Sequence, residues 1–184
     1  MTIARPPAGG AAGSPQQPQV PLPVGVRDLR AARLDLAARM MTPGSDGVAR
    51  RRAVADLVVG ALALLWTEAT EGRDVQGVAL GVVGSVGRGD ASPVSDLDLL
   101  LVHDVKPRKV AKEIEPLASA LWYPLWDAGV KLGHAVRRID EQLELAGTDL
   151  DSATALLTAR PLAGDDTLAA ALVEIGRASC RERV

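Results

Sequence analysis

Helical and strand-like runs of apolar residues alternate along this chain. In "VRDLRAARLDLAARMM" (26–41), Leu29, Ala32, Leu34, Leu36 and Ala37 recur among arginines and aspartates at a helical period. "TPGSDG" (42–47) reads as a turn. "VARRRAVADLVVGALALLWTEATEG" (48–72) predicts a long helix, polar at its start and nearly all apolar after Leu57, as expected of a helix buried against a sheet. "VQGVALGVVGSVGRG" (75–89) is a β-branched run ending in glycines, and "LDLLLVH" (97–103) predicts a second apolar strand. "PRKVAKEIEPLASALWYPLWDAG" (107–129) reads as mostly helix, broken around Pro124, and "VKLGHAVRRI" (130–139) as a third strand. Residues 140–175 predict two or three short helices, with Asp140 and Asp151 as N-caps.

Strands mixed with helices point to an α+β (mixed α/β) domain, expected over 26–173. Residues 1–25, rich in Pro, Gly, Ala and Gln, read as a disordered leader. The ending "EIGRASCRERV" departs from the Ala/Leu pattern before it and reads as a translated sequencing adaptor, so 174–184 is expected to be a non-native tail. It carries the single cysteine, Cys180, which removes disulfide chemistry from consideration. A net charge of −2 and only 2% aromatic residues argue against a nucleic-acid partner. Leu57–Trp66, the longest apolar stretch, is too short to span a bilayer, and no signal-peptide pattern opens the chain. No membrane partner and a cytoplasmic location are therefore expected.

The chemistry concentrates in "GSVGRGDASPVSDLDLLLVHD" (84–104). Gly84, Gly87 and Gly89 do not fit the dinucleotide fingerprint, and no Gly-Lys-Ser/Thr triplet marks a phosphate loop of the Walker kind. Gly84-Ser85 followed by Asp96-Leu97-Asp98 does match the Gly-Ser and Asp-x-Asp pattern of nucleotidyltransferases. On a strand Asp96 and Asp98 project from one face while Leu97 and Leu99 project from the other. Two carboxylates at that spacing can hold Mg²⁺, which takes carboxylates together with phosphate oxygens. Gly84 leaves room for a triphosphate, exposed N–H groups and the Ser85 hydroxyl can bind it, and Arg88 can neutralise its charge within the Gly87-containing loop. Solvated strand-end acids are the bland alternative.

With these residues, "VALGVVGSVGRGDASPVSDLDLLLVH", "LWDAGVKLGHAVR" and "ATALLTARPLAGD" resemble the bifunctional uridylyltransferase/uridylyl-removing enzymes of bacterial nitrogen regulation, the GlnD family, over roughly residues 50–173. The resemblance implies a polymerase-β-type nucleotidyltransferase domain: a small mixed sheet with flanking helices. It implies transfer of UMP from UTP to a tyrosine hydroxyl of the PII signalling protein, with release of pyrophosphate. Gly84, Ser85, Gly87 and Arg88 would bind nucleotide; Asp96 and Asp98 would hold Mg²⁺ and act in catalysis. Family members continue into an HD-type hydrolase and glutamine-sensing ACT domains, so at most the transfer half is expected here.

Two features depart from the family. Ser85 and Val86 stand where Gly and Tyr are frequent, and "KLGHAV" offers His134 where the fold adds a third carboxylate. Asp127 and Asp140 flank that strand, and the third ligand and general base stay unassigned. His134 reads either as a ligand or base or as a packed histidine, and His103 as structural. Trp122, Tyr123 and Trp126 read as a helix-end packing cluster, with base stacking as the alternative. A glutamine-synthetase adenylyltransferase-like enzyme and a non-catalytic remnant that binds UTP or a partner are the rival functions.

Overall fold

A computed structural model describes residues 25–181, so the expected leader, except Gly25, lies outside the described residues. A 3-10 turn (Val26–Asp28) leads into helix α1 (Leu29–Arg39), and helix α2 (Gly47–Thr70) follows. Asp46 caps α2 by accepting the Val48 N–H at 2.8 Å. Strand β1 (Val78–Val83) runs directly into the short helix α3 (Gly84–Gly87), and strand β2 (Leu97–His103) returns beside it. Helix α4 (Pro107–Asp127) crosses over to strand β3 (Leu132–Arg138). Helices α5 (Ile139–Thr148) and α6 (Leu150–Leu156), strand β4 (Arg160–Gly164) and helix α7 (Asp166–Arg181) follow.

The strands make one mixed sheet in the order β3–β2–β1–β4. β1 is antiparallel to β2 and β4, whereas β2 and β3 are parallel. That last pairing needs a crossover, which α4 supplies. Side-chain alternation sorts the two faces. Val78, Leu80, Val82, Leu97, Leu99 and Leu101 enter the larger core with α1, α2 and α4. Ala79, Leu100 and Val102 pack on the opposite face against Ala146, Leu156, Leu168, Leu172 and Ile175 from α5, α6 and α7. This is the expected mixed α+β architecture, a small sheet between helices.

Several local expectations change. β4 lies within the region expected to be helical. It is five residues long and carries Pro161, which an edge strand tolerates because its free side needs no donor. α4 runs unbroken through Pro116 and Pro124. A proline inside a helix costs about 3 kcal/mol, but Ile114, Leu117, Ala118, Leu121, Trp122 and Leu125 form one buried stripe spanning Pro116 and Pro124. The caps of α5 and α6 are Arg138 and Asp149 rather than Asp140 and Asp151. Asp149 accepts the Ser152 N–H at 2.8 Å, and Asp140 instead pairs with Arg138. α7 continues past the expected break to Arg181, with Ile175 buried and Gly176 close against the Leu156 carbonyl. By length and composition α2 as a whole is apolar enough to cross a bilayer, contrary to the reading of its Leu57–Trp66 stretch alone; half of its most apolar window is buried in this fold.

Two consequences can be measured. Leu172 is fully buried and fills the space above Gly81, where an added Cβ would come within 2.7 Å of it. Leu172→Ala is expected to cost about 2–5 kcal/mol in urea unfolding. His103 is buried at the end of β2, and burial, then the Arg138 charge, lowers its pKa. The unfolded chain then binds the proton more readily than the folded one. Stability is expected to fall as pH drops below 6.5 toward the folded-state value. His103→Gln should flatten that part of a melting-temperature profile.

Candidate active site

The sheet register builds the site around one carboxylate. Asp98 pairs with Val83 of β1 on one side and Gly133 of β3 on the other. A Cβ at Gly133 would collide with Asp98 Oδ1, and one at Gly84 would lie 2.8 Å from Oδ2. Gly84 also has φ +69°, a left-handed conformation that favours glycine. The Asp98 carboxylate thus occupies a cradle open only because both neighbours lack side chains. Asp96 is exposed immediately before β2, and its charge bears on Asp98.

Burial first, and the Asp96 charge second, push the Asp98 carboxyl above its ordinary pKa. A carboxylate whose ionisation is disfavoured by burial and by a neighbouring acid is a donor that a cation relieves. Nucleotidyltransferases generally use a divalent metal. Among the described residues no group of three or more His, Cys, Asp or Glu side chains is placed to hold one. The paired carboxylates nevertheless fit a hard cation that keeps water and phosphate oxygens as its other ligands.

The glycine loop lies at the same end of the sheet. Gly84 donates its N–H to Thr158 Oγ1 at 2.7 Å, and the Thr158 hydroxyl donates to the Ala155 carbonyl at 2.7 Å. Gly87 packs so closely on the Thr158 carbonyl that any side chain would clash. Val86 is buried beneath the loop, Ser85 and Gly87 are half-buried, and Arg88 is exposed. The Ser85 and Val86 N–H groups begin a helical turn and have no acceptor within it. Asp90 closes the loop through its N–H to the Ser85 carbonyl at 2.8 Å and pairs with Arg51 of α2.

The turn into β2 is internally bonded. Ser92 donates its N–H to Ser95 Oγ at 2.9 Å, and the two hydroxyls lie 3.1 Å apart. Arg33 of α1 reaches this turn and donates from Nη2 to the Ser95 carbonyl at 2.6 Å.

The structure brings Asp98, Gly84 and Gly133 together but separates His134 from them. His134 pairs with Leu99 and therefore projects from the opposite face to Asp98. There its ring centroid lies 5.5 Å from Trp122 and 5.4 Å from Trp126. It is exposed beside these two rings, on the face away from Asp98, so it is neither the packed histidine expected nor a partner of that acid. Trp122 is buried, while Tyr123 and Trp126 meet edge-on at 5.5 Å near the surface, a helix-end packing cluster. Asp140 lies at the far end of β3 from Gly133, and Asp127 is exposed at the end of α4.

Sequence reasoning missed three contributors. Thr158 lies in the family-like "ATALLTARPLAGD", but nothing in its residue type marks it as the lock on Gly84. Gly133 was hidden beside the more conspicuous His134. Arg33 resembled the other exposed arginines of α1.

A family profile described as "Putative nucleotidyltransferase DUF294" matches residues 32–136. Relatives named bifunctional uridylyltransferase/uridylyl-removing enzyme include one from Streptomyces coelicolor, 48% identical over 73% of this chain and 16% of the relative. One from Mycobacterium tuberculosis is 46% identical over 55% of this chain and 12% of the relative. One from Phenylobacterium zucineum is 39% identical over 76% and 15% respectively. The matched region thus spans about a sixth or less of the length of these relatives.

The raised Asp98 pKa carries a sign that can be checked. The stability linked to its protonated form is present below the ordinary carboxylate range and lost as pH rises through the folded-state value. At neutral pH in EDTA, Asp98→Asn is expected to melt a few degrees above the parent chain by calorimetry. A lower melting temperature would contradict the strained-carboxylate account.

Proposed function

The chain belongs to the DUF294 nucleotidyltransferase family, and on that premise we propose that it transfers UMP from UTP to a tyrosine hydroxyl of the PII signalling protein. The observation that carries the reading is the Asp98 carboxylate seated between Gly84 and Gly133 with Asp96 beside it. The uridylyl specificity and the PII acceptor rest on the likeness to the uridylyltransferases named above. Mg²⁺ is the proposed metal, with Asp96 and Asp98 as its protein ligands.

The chain's own groups have distinct tasks. Gly84 admits the triphosphate close to the backbone, where the Ser85 and Val86 N–H groups and the Ser85 hydroxyl bind phosphate oxygens. Gly87 lets the loop seat on Thr158, and Arg88 at its exposed edge neutralises phosphate charge. Asp96 and Asp98 would hold Mg²⁺, which would supply charge neutralisation at the phosphate oxygens. The tyrosine oxygen forms a bond to the α-phosphorus as the bond to pyrophosphate breaks, and the phenolic proton passes to solvent water. Positioning and electrostatics account for most of the acceleration in such displacements.

A second reading, nucleotide binding without transfer, draws on the donor set of two carboxylates rather than three among the described residues. One assay separates the possibilities. Purified protein, PII and Mg²⁺ are incubated with labelled UTP or labelled ATP. Label passing from UTP to PII, and falling about 10²–10³-fold in Asp98→Asn, is the expected outcome. Transfer from ATP instead would favour an adenylyltransferase, Mg²⁺-dependent UTP binding without transfer would favour the second reading, and parental activity in Asp98→Asn would remove the acids from catalysis.

A further inference from the structure

Arg33 is a buried charge with an unusual set of partners. It lies on α1, 5% exposed, and its one hydrogen bond among the described residues runs from Nη2 to the Ser95 carbonyl at 2.6 Å. Its Nε is buried and finds no acceptor among the described residues. The charge that acts favourably on it is Asp96, against the unfavourable effect of its own burial. A guanidinium enclosed this way is a poor stabiliser, because desolvating an incompletely bonded cation is unfavourable. An apolar side chain of similar length would serve α1 packing better. The contact that needs arginine is the one with the Ser95–Asp96 segment.

We propose that Arg33 is a positioning residue for the nucleotidyl-transfer centre. Its guanidinium anchors the Ser95 carbonyl to α1 and so presents Asp96 beside Asp98 at the spacing a divalent cation requires. The inference rests on the reading of Asp96 and Asp98 as cation ligands. The Ser92–Ser95 hydrogen bonds shape the turn but do not fix it relative to the helices. Arg33 supplies that fixed reference across 62 residues of sequence.

Two effects of opposite sign make the proposal testable. Arg33 is a cation beside a proposed cation site, so by Coulomb's law alone its removal should tighten metal binding. If positioning dominates, removal should loosen binding, because sites of this kind are sensitive to displacements of about 1 Å. Arg33→Met keeps the length and removes the charge; Arg33→Lys keeps the charge and loses the planar fork. The Mn²⁺ complex of UTP is titrated into parent, Arg33→Met, Arg33→Lys and Asp98→Asn proteins and followed by water-proton relaxation, with circular dichroism melting run alongside.

The expected result is binding about 10-fold weaker in Arg33→Met, an intermediate loss in Arg33→Lys, and melting temperatures no lower than the parent. Binding as tight as the parent's in both Arg33 variants, or tighter in Arg33→Met, would overturn the positioning role. So would a binding loss that only tracks a loss of folded structure in both. If parent and Asp98→Asn bind alike, the failure belongs instead to the metal-site reading.

Discussion

The structure depends on a carboxylate held where its charge is unwelcome. Asp98 lies on an inner strand, partly desolvated and within the field of Asp96, with glycines on both neighbouring strands at its level. A fold optimised for stability alone would place a neutral or apolar residue there. Keeping an ionisable acid at that point makes sense where a cation joins it, and the bare backbone at Gly84 leaves the approach open to a phosphate chain.

The remaining architecture keeps that arrangement rigid. Two helical layers clamp the sheet, so β1, β2 and β3 keep the register that sets Val83, Asp98 and Gly133 side by side. Thr158, just ahead of β4, holds Gly84 through its N–H, and Gly87 seats the loop on the same residue. Arg33 reaches from the opposite helical layer to the turn ahead of Asp96. Three segments distant in sequence converge on one pair of acids.

Much of this was legible from residue order. β2 spans the "LDLLLVH" expected, and α2 falls on the long run read as a helix, because each is a sustained apolar run. β4 was not legible: five residues with a proline carry little alternation, and their pairing with β1 is decided by tertiary context. Pro124 was misread for a related reason, since helix propensity is local while the buried stripe of α4 outweighs it. His134 drew attention by residue type, yet strand parity fixed its face, and parity required knowing that it pairs with Leu99. Arg33 could not be told from its neighbours, because the burial of one arginine on an amphipathic helix depends on what packs against it.

The most direct test of the central claim is a crystal structure of the protein with Mn²⁺ and a non-hydrolysable UTP analogue, with anomalous data collected at the manganese edge. The account predicts an anomalous peak about 2.1 Å from carboxylate oxygens of both Asp96 and Asp98 and from a phosphate oxygen. A peak elsewhere, or nucleotide bound away from the Gly84 turn with the two carboxylates unliganded, would contradict it.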